Sequence, residues 1–220
     1  MSARIDRGLL LGLGLASLLV ACASLVAASG QPRLAAMREE ELLYYPSGFQ
    51  VRQAALGYET AAADLAWLRG IQYYGEHRLT DQKYDLIGHV MEVVTELDPR
   101  FTQPYVFGAF VMAQEMKQPE RGLDLLERGM RANPYNWKLA FEAGFLYYVC
   151  RHDNAAAARY FTWASRIPGH EPYVERFAAF AHERAGNTGM AILLWKEVLA
   201  TGNQYMQDVA RRELQHLGAM

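Results

Sequence analysis

The sequence predicts an all-α chain: a short right-handed superhelical solenoid of antiparallel helix pairs, preceded by one N-terminal transmembrane or signal helix. Three observations carry that prediction. Asp98-Pro99, Asn133-Pro134, Ile167-Pro168 and Thr201-Gly202 each close a helical stretch, at successive intervals of about 35, 34 and 34 residues, the length of a helix–turn–helix repeat unit. Between these closures the apolar residues recur at helical spacing. Ahead of them, Gly8 to Ser29 is an uncharged apolar run of about 22 residues, which matches the ~20 needed to cross a bilayer core as a helix. A helix pair of this size cannot bury its apolar side alone, so it persists only by stacking on neighbours.

The first segment, residues 1–30, is read as a membrane anchor or signal. Arg4 and Arg7 precede the apolar run, whereas Arg33 and Arg38 after it are accompanied by Glu39, Glu40 and Glu41, so the positive-inside bias leaves the N-terminus in the cytoplasm and the remainder outside. The run either stays as a signal anchor or is cut. Leu19-Val20-Ala21-Cys22 resembles a bacterial lipobox, which would make Cys22 the lipidated first residue. Cleavage at an A-x-A-like site around Ala21-Cys22-Ala23 is a third outcome. Gly8 and Gly12 form a small-xxx-small pair of the kind that packs membrane helices, although glycine is common in such spans. Residues 31–49 read as a connector: Pro32 ends the apolar helix and Pro46-Ser47-Gly48 marks a turn.

The domain expected over 50–220 divides into units at about 61–99, 100–134, 135–168 and 169–202, with a capping helix at 203–217. In the first, Trp67, Gly70 and Tyr74 mark one helix and Ile87, Met91 and Val94 another, across a loop around Arg78 to Asp81 some four residues longer than the pattern. The second has Tyr105, Gly108, Ala109 and Met112, then Gly122, Leu126 and Gly129 after the turn Lys117-Gln118-Pro119, which is one residue longer. In the third, Trp137, Ala140, Gly144 and Tyr147 face Ala156, Tyr160 and Trp163, and Gly144 is expected to let the partner helix approach closely. The fourth pairs Val174, Phe177, Ala178 and Ala181 with Ala191, Trp195 and Val198. Residues 50–66, interrupted near Gly57, are expected to cap one end. Gln204 to Leu217 caps the other, with Tyr205, Val209, Leu214 and Leu217 as its apolar side.

From about Ala61 to Gly202 these spacings resemble a tetratricopeptide repeat protein. Leu42-Leu43-Tyr44-Tyr45-Pro46-Ser47-Gly48, with the stretch Ala62 to Gly75, is also similar to small membrane-anchored bacterial repeat proteins of unassigned function. The resemblance implies a bacterial envelope protein: single-pass in the inner membrane with its repeats on the periplasmic side, or lipid-anchored through Cys22. The stacked helix pairs point to a scaffold that binds another envelope protein through its concave groove, with a structural accessory subunit of a larger membrane-associated complex, or a lipoprotein assembly factor lipidated at Cys22, as alternatives.

In that fold the first helices line a concave groove. Positions between their packing residues give Lys138, Phe141, Glu142, Phe145 and Tyr148 in the third unit, and Gln103, Val106, Phe110 and Ala113 in the second. The fourth unit gives Glu175, Ala179 and His182. An apolar, aromatic surface with mixed charge at its edges suits a peptide anchored by bulky side chains. The partner-binding set is therefore Phe110, Lys138, Phe141, Glu142, Phe145 and Tyr148, although the same aromatics could instead pack within the chain.

Other functions find less in the sequence. A formal charge of -2 gives no field to gather nucleic acid, and no basic run interleaves with aromatics. Glu76-His77 and His182-Glu183 are adjacent helical pairs that point to different faces, with no nucleophile placed beside them. No catalytic residue, metal ligand set, cofactor or small-molecule substrate is expected. The two cysteines, Cys22 and Cys150, form neither a disulfide framework nor a zinc-ligand spacing.

Overall fold

The computed structural model describes residues 46–220 together with Ser24, and residues 46–220 form one unit. The readings that fall on residues 1–45, namely the membrane or signal segment, the Gly8/Gly12 pair, the lipidation of Cys22 and most of the connector, lie outside the described residues. Within the described residues no helix is long and apolar enough to cross a membrane.

Those residues contain ten α-helices and no strand. Helix α1 is Gly48–Ala54. Ser47 starts it with a reciprocal cap: the Gln50 N–H donates to Ser47 Oγ (3.4 Å) and the Ser47 N–H donates to Gln50 Oε1 (3.2 Å), which satisfies two otherwise orphaned donors. Helix therefore begins inside the stretch assigned to the connector. Leu56 and Gly57, at φ +49° and +94°, then break the chain's direction, as a glycine at positive φ permits.

Helix α2, Glu59–Arg78, is 20 residues long. It incorporates residues 59–66, which the sequence had assigned to an end cap; the helix interrupted at Gly57 resumes as the first helix of the first pair. Its partner α3 is Ile87–Leu97. The long loop between them is pinned by side chains. Tyr73 Oη donates to Lys83 O (3.0 Å), His77 Nδ1 meets Asp81 Oδ1 at 2.6 Å, and Tyr74 stacks on Tyr84. The bond from His77, supported by the Lys83 N–H, holds the Asp81 carboxyl below its ordinary range.

The second pair is α4, Gln103–Phe110, and α5, Pro119–Ala132. Between them Val111–Glu115 winds as a π-helical turn, with the Met116 N–H donating to Val111 O at 3.0 Å. A wider turn absorbs one residue without breaking the helix, which accounts physically for the extra residue counted in this unit. Proline opens α5 at a position where its missing N–H removes no helical bond.

The third pair is α6, Trp137–Val149, and α7, Asn154–Arg166, capped by Asn136 and Asp153. The fourth is α8, Tyr173–Arg184, and α9, Thr188–Thr201, joined through Gly186 at φ +78°. Helix α10, Gln204–His216, capped by Asn203, closes the chain. Consecutive helices pack on one another throughout, as in a helical solenoid.

Small residues on the first helices set how close each pair can come. A Cβ on Gly70 would lie 2.5 Å from Met91 Cε, one on Gly108 2.7 Å from Leu125 Cδ2, and one on Gly144 2.8 Å from Phe161 Cδ1. Ala178 holds the corresponding position in the fourth pair and is fully buried. The close-approach role expected of Gly144 therefore has a named partner, the Phe161 ring.

Three apolar assignments are corrected. On α7 the buried residues are Ala156, as expected, with Ala157, Ala158, Phe161 and Ala164, whereas Trp163 is 45% exposed. The alanine-rich start of this helix has no bulky residue to mark its inner side, so two stripes with the same spacing compete. Phe161 takes the core because it meets the gap left by Gly144. Tyr160 sits between the two, stacked on Tyr147 and bonded through its hydroxyl to Glu127 (3.2 Å). On α10, Tyr205 is exposed, and Ala210 with Leu214 makes the buried contact.

Candidate functional site

The first helices α2, α4, α6 and α8 bury one side and leave another half-buried or exposed. On α6 the buried positions are Trp137, Leu139, Ala140, Ala143, Gly144 and Leu146. Lys138, Phe141, Glu142, Phe145 and Tyr148 occupy the remaining face, because residues three and four apart share a side of a helix.

These residues differ in what they can offer. Phe141 is packed among rings, 5.2 Å from Phe161 and from Phe177 and 5.4 Å from Tyr173. Tyr148 makes an edge contact with Phe180 at 6.3 Å. Both are half-buried, as is Phe145, and all three pack against the core cluster shared by α7 to α10. Lys138 is exposed, its Nζ 5.7 Å from the centre of the Trp137 ring. Burial raises the Glu142 carboxyl above its ordinary range, and the charge of Lys138 opposes that shift. Burial, with the nearby Glu171 and Glu142 charges, also raises the Tyr173 hydroxyl.

Phe110 stands apart from that cluster. It ends α4 with 47% of its surface exposed. On its N-terminal side the rings are engaged: Phe107 packs edge-on against Trp67 (5.4 Å) and Tyr74 (5.0 Å), and Trp67 also meets Phe101. Of the other second-unit positions, Gln103 is exposed, Val106 half-buried and Ala113 buried. The structure thus joins Lys138, Phe141, Glu142, Phe145 and Tyr148 along one helix and continues them through Tyr173, Phe177 and Phe180 of α8. Of the α8 aromatics the spacing marked only Phe177, as core, and nothing in sequence tells a half-buried ring from a buried one; Tyr173 and Phe180 were not legible.

On the same helix, Ala179 is buried and Glu175 is half-buried beside His170 (3.7 Å). His182 meets Thr162 Oγ1 through Nε2 (3.0 Å) and Asn187 Nδ2 through Nδ1 (3.4 Å). Burial holds its pKa below the ordinary 6.5. The unfolded chain therefore takes up this proton first, and the stability present at neutral pH is lost as pH falls below 6.5. Replacing His182 by glutamine is expected to flatten the fall in Tm between pH ~7 and ~5; an unchanged slope in the variant would assign the acid sensitivity to other groups.

Two features were not anticipated. Arg176, Phe177, Phe180, Trp195, Val209 and Glu213 enclose an apolar hollow of about 280 Å³. Beside it, Glu183, Glu213 and His216 bring one ligand-type atom each within 4.8 Å of one another. Glu213 and His216 are three residues apart on α10 and Glu183 comes from α8, so only the packing of the two helices brings them together. Glu183 already accepts a hydrogen bond from Trp195 Nε1 at 3.4 Å, and His216 is largely in solvent.

No protein-family model matches this chain, and no curated protein matches it.

Proposed function

We propose that this chain is a tetratricopeptide-like scaffold, tethered to a bacterial membrane through its N-terminal segment, that holds another envelope protein against the concave side formed by its first helices. The observation that carries this reading is Phe110. In the middle of the row of first helices, between two groups of rings packed on their neighbours, a large aromatic keeps nearly half of its surface in water. Aromatic anchors near the centre of a binding face supply a disproportionate share of affinity. Lys138 and Glu142 flank that face with charges of opposite sign, which suits recognition of a peptide or helix with apolar anchors. The repeat assignment itself is supported by the small residue recurring at Gly70, Gly108, Gly144 and Ala178 and by the period of the turns.

A second reading, a structural subunit that packs by its outer side, draws on Trp163 (45% exposed) and Leu193 (61% exposed) of the second helices α7 and α9. The other aromatics that could have supported it do not: Tyr73 and Phe161 are buried, and Tyr74, Tyr147 and Tyr148 are half-buried. Peptide capture is therefore preferred.

The test is affinity purification of the full chain from detergent-solubilised membranes, with mass spectrometry of what is retained, repeated for Phe110→Ala and for Trp163→Ala. Phe110→Ala is expected to cost about 1 to 2 kcal/mol of stability, less than half the range for a fully buried phenylalanine, and to lower recovery of the partner at least severalfold. Loss of the partner in the Trp163 variant alone would reverse the preference, and absence of any specific partner would end both readings.

A further inference from the structure

Three successive turns, the ones before α4, α6 and α8, border one open cleft of about 680 Å³. Its walls include Arg100 and Gln103 from the first turn, Tyr135, Asn136, Trp137 and Lys138 from the second, and the Pro168-Gly169 peptide from the third. No aspartate or glutamate lines it. Among the described residues, neither Arg100 nor Lys138 has a carboxylate within ion-pair distance; Glu142 lies one turn beyond Lys138, outside the cleft. The first two turns are fixed to one another by Asn133, whose Nδ2 donates to Pro99 O at 2.8 Å.

We propose that this cleft receives an extended acidic segment of a protein partner, its carboxylates meeting Arg100 and Lys138 and its chain lying over Tyr135. The inference rests on the scaffold reading above and adds the charge of what is bound. Two cations with no carboxylate in ion-pair range among the described residues, and with side-chain amides beside them, form an electropositive rim that attracts and aligns carboxylates. Size and shape favour a chain over a free anion: the opening spans three turns, far more than one phosphate fills, and the Tyr135 ring, 85% exposed, offers a flat apolar surface along the way.

The experiment is fluorescence anisotropy on the full chain in detergent. The probe is a labelled octapeptide of alternating glutamate and alanine, compared with the same peptide carrying glutamine. The acidic peptide is expected to bind, to weaken as salt is raised, and to bind about tenfold more weakly to an Arg100→Gln/Lys138→Gln variant, as expected for losing two exposed charge pairs. The glutamine peptide is expected to show no saturable binding. Equal binding of both peptides, no binding of either, or insensitivity to the double substitution would overturn the proposal. Displacement by inorganic phosphate at the same concentration as the peptide would overturn it in favour of a free-anion site. The two readings fail separately. If the peptide binds as expected but Phe110→Ala retains the membrane partner, the scaffold face is misassigned; if Phe110→Ala loses the partner and the acidic peptide does not bind, only the acidic segment is wrong.

Discussion

Replacing Phe161 by alanine is expected to destabilise the protein by about 3–5 kcal/mol, the range for removing a fully buried phenylalanine. That lowers Tm by roughly 10 °C in a chain of this size. The residue is 1% exposed and packs against Phe141 and Phe177, so it touches the first helices of two successive pairs at once. Its ring also fills the space that Gly144 leaves open. The same geometry predicts a coupling. Gly144→Ala should destabilise the wild-type chain, where the new methyl meets the ring, and do so less in a Phe161→Leu background, where the obstruction is reduced. Additive effects in that double-mutant cycle would show that the two residues do not share the contact. Because each pair rests chiefly on its neighbours, hydrogen exchange in Phe161→Ala should quicken in α6 to α8 more than in α1 to α3. Uniform acceleration would indicate one indivisible cooperative unit instead.

Gly122→Ala should be destabilising despite alanine's higher helix propensity. A Cβ at Gly122 would lie 2.7 Å from the Ala109 carbonyl oxygen, a backbone atom that cannot rotate aside, and 3.3 Å from Leu146 Cδ1. Helices α4 and α5 would have to separate, and overpacking of this kind costs about 1–3 kcal/mol, or roughly 4–8 °C in Tm. Gly75 is the control. It also lies within a helix, yet nothing would stand within 4 Å of its Cβ, so Gly75→Ala should stabilise by up to about 1 kcal/mol. Thermal unfolding followed by circular dichroism gives both values. A stabilised Gly122→Ala would mean that α5 is seated less closely on α4 than the structure places it.

The fold was largely legible because its two controlling signals are local. Prolines and glycines at the turns, and apolar residues three and four apart, fix helix extents from short stretches of sequence. Asn136, Asp153 and Asn203 add caps at the helix starts. Less legible was which of two equivalent stripes faces inward when alanine dominates, as on α7. Residues 59–66 also show that a break at Gly57 divides an end cap from a long helix rather than dividing one cap in two.

The candidate site was legible as a list of positions and not as a surface. Lys138, Phe141, Glu142, Phe145 and Tyr148 share a helix face by spacing alone, but Phe141 is enclosed by rings from α7 and α8 while Phe110 is left in water. The sequence by itself determined the α-helical class, the period and the positions where helices stop, since turn chemistry and helical spacing act over a few residues. Only the tertiary structure decided which aromatics are enclosed, which cations face a common cleft and which glycines are irreplaceable by size. Exposure and clearance are properties of the neighbours that arrive from other helices, and no residue carries them in its own sequence context.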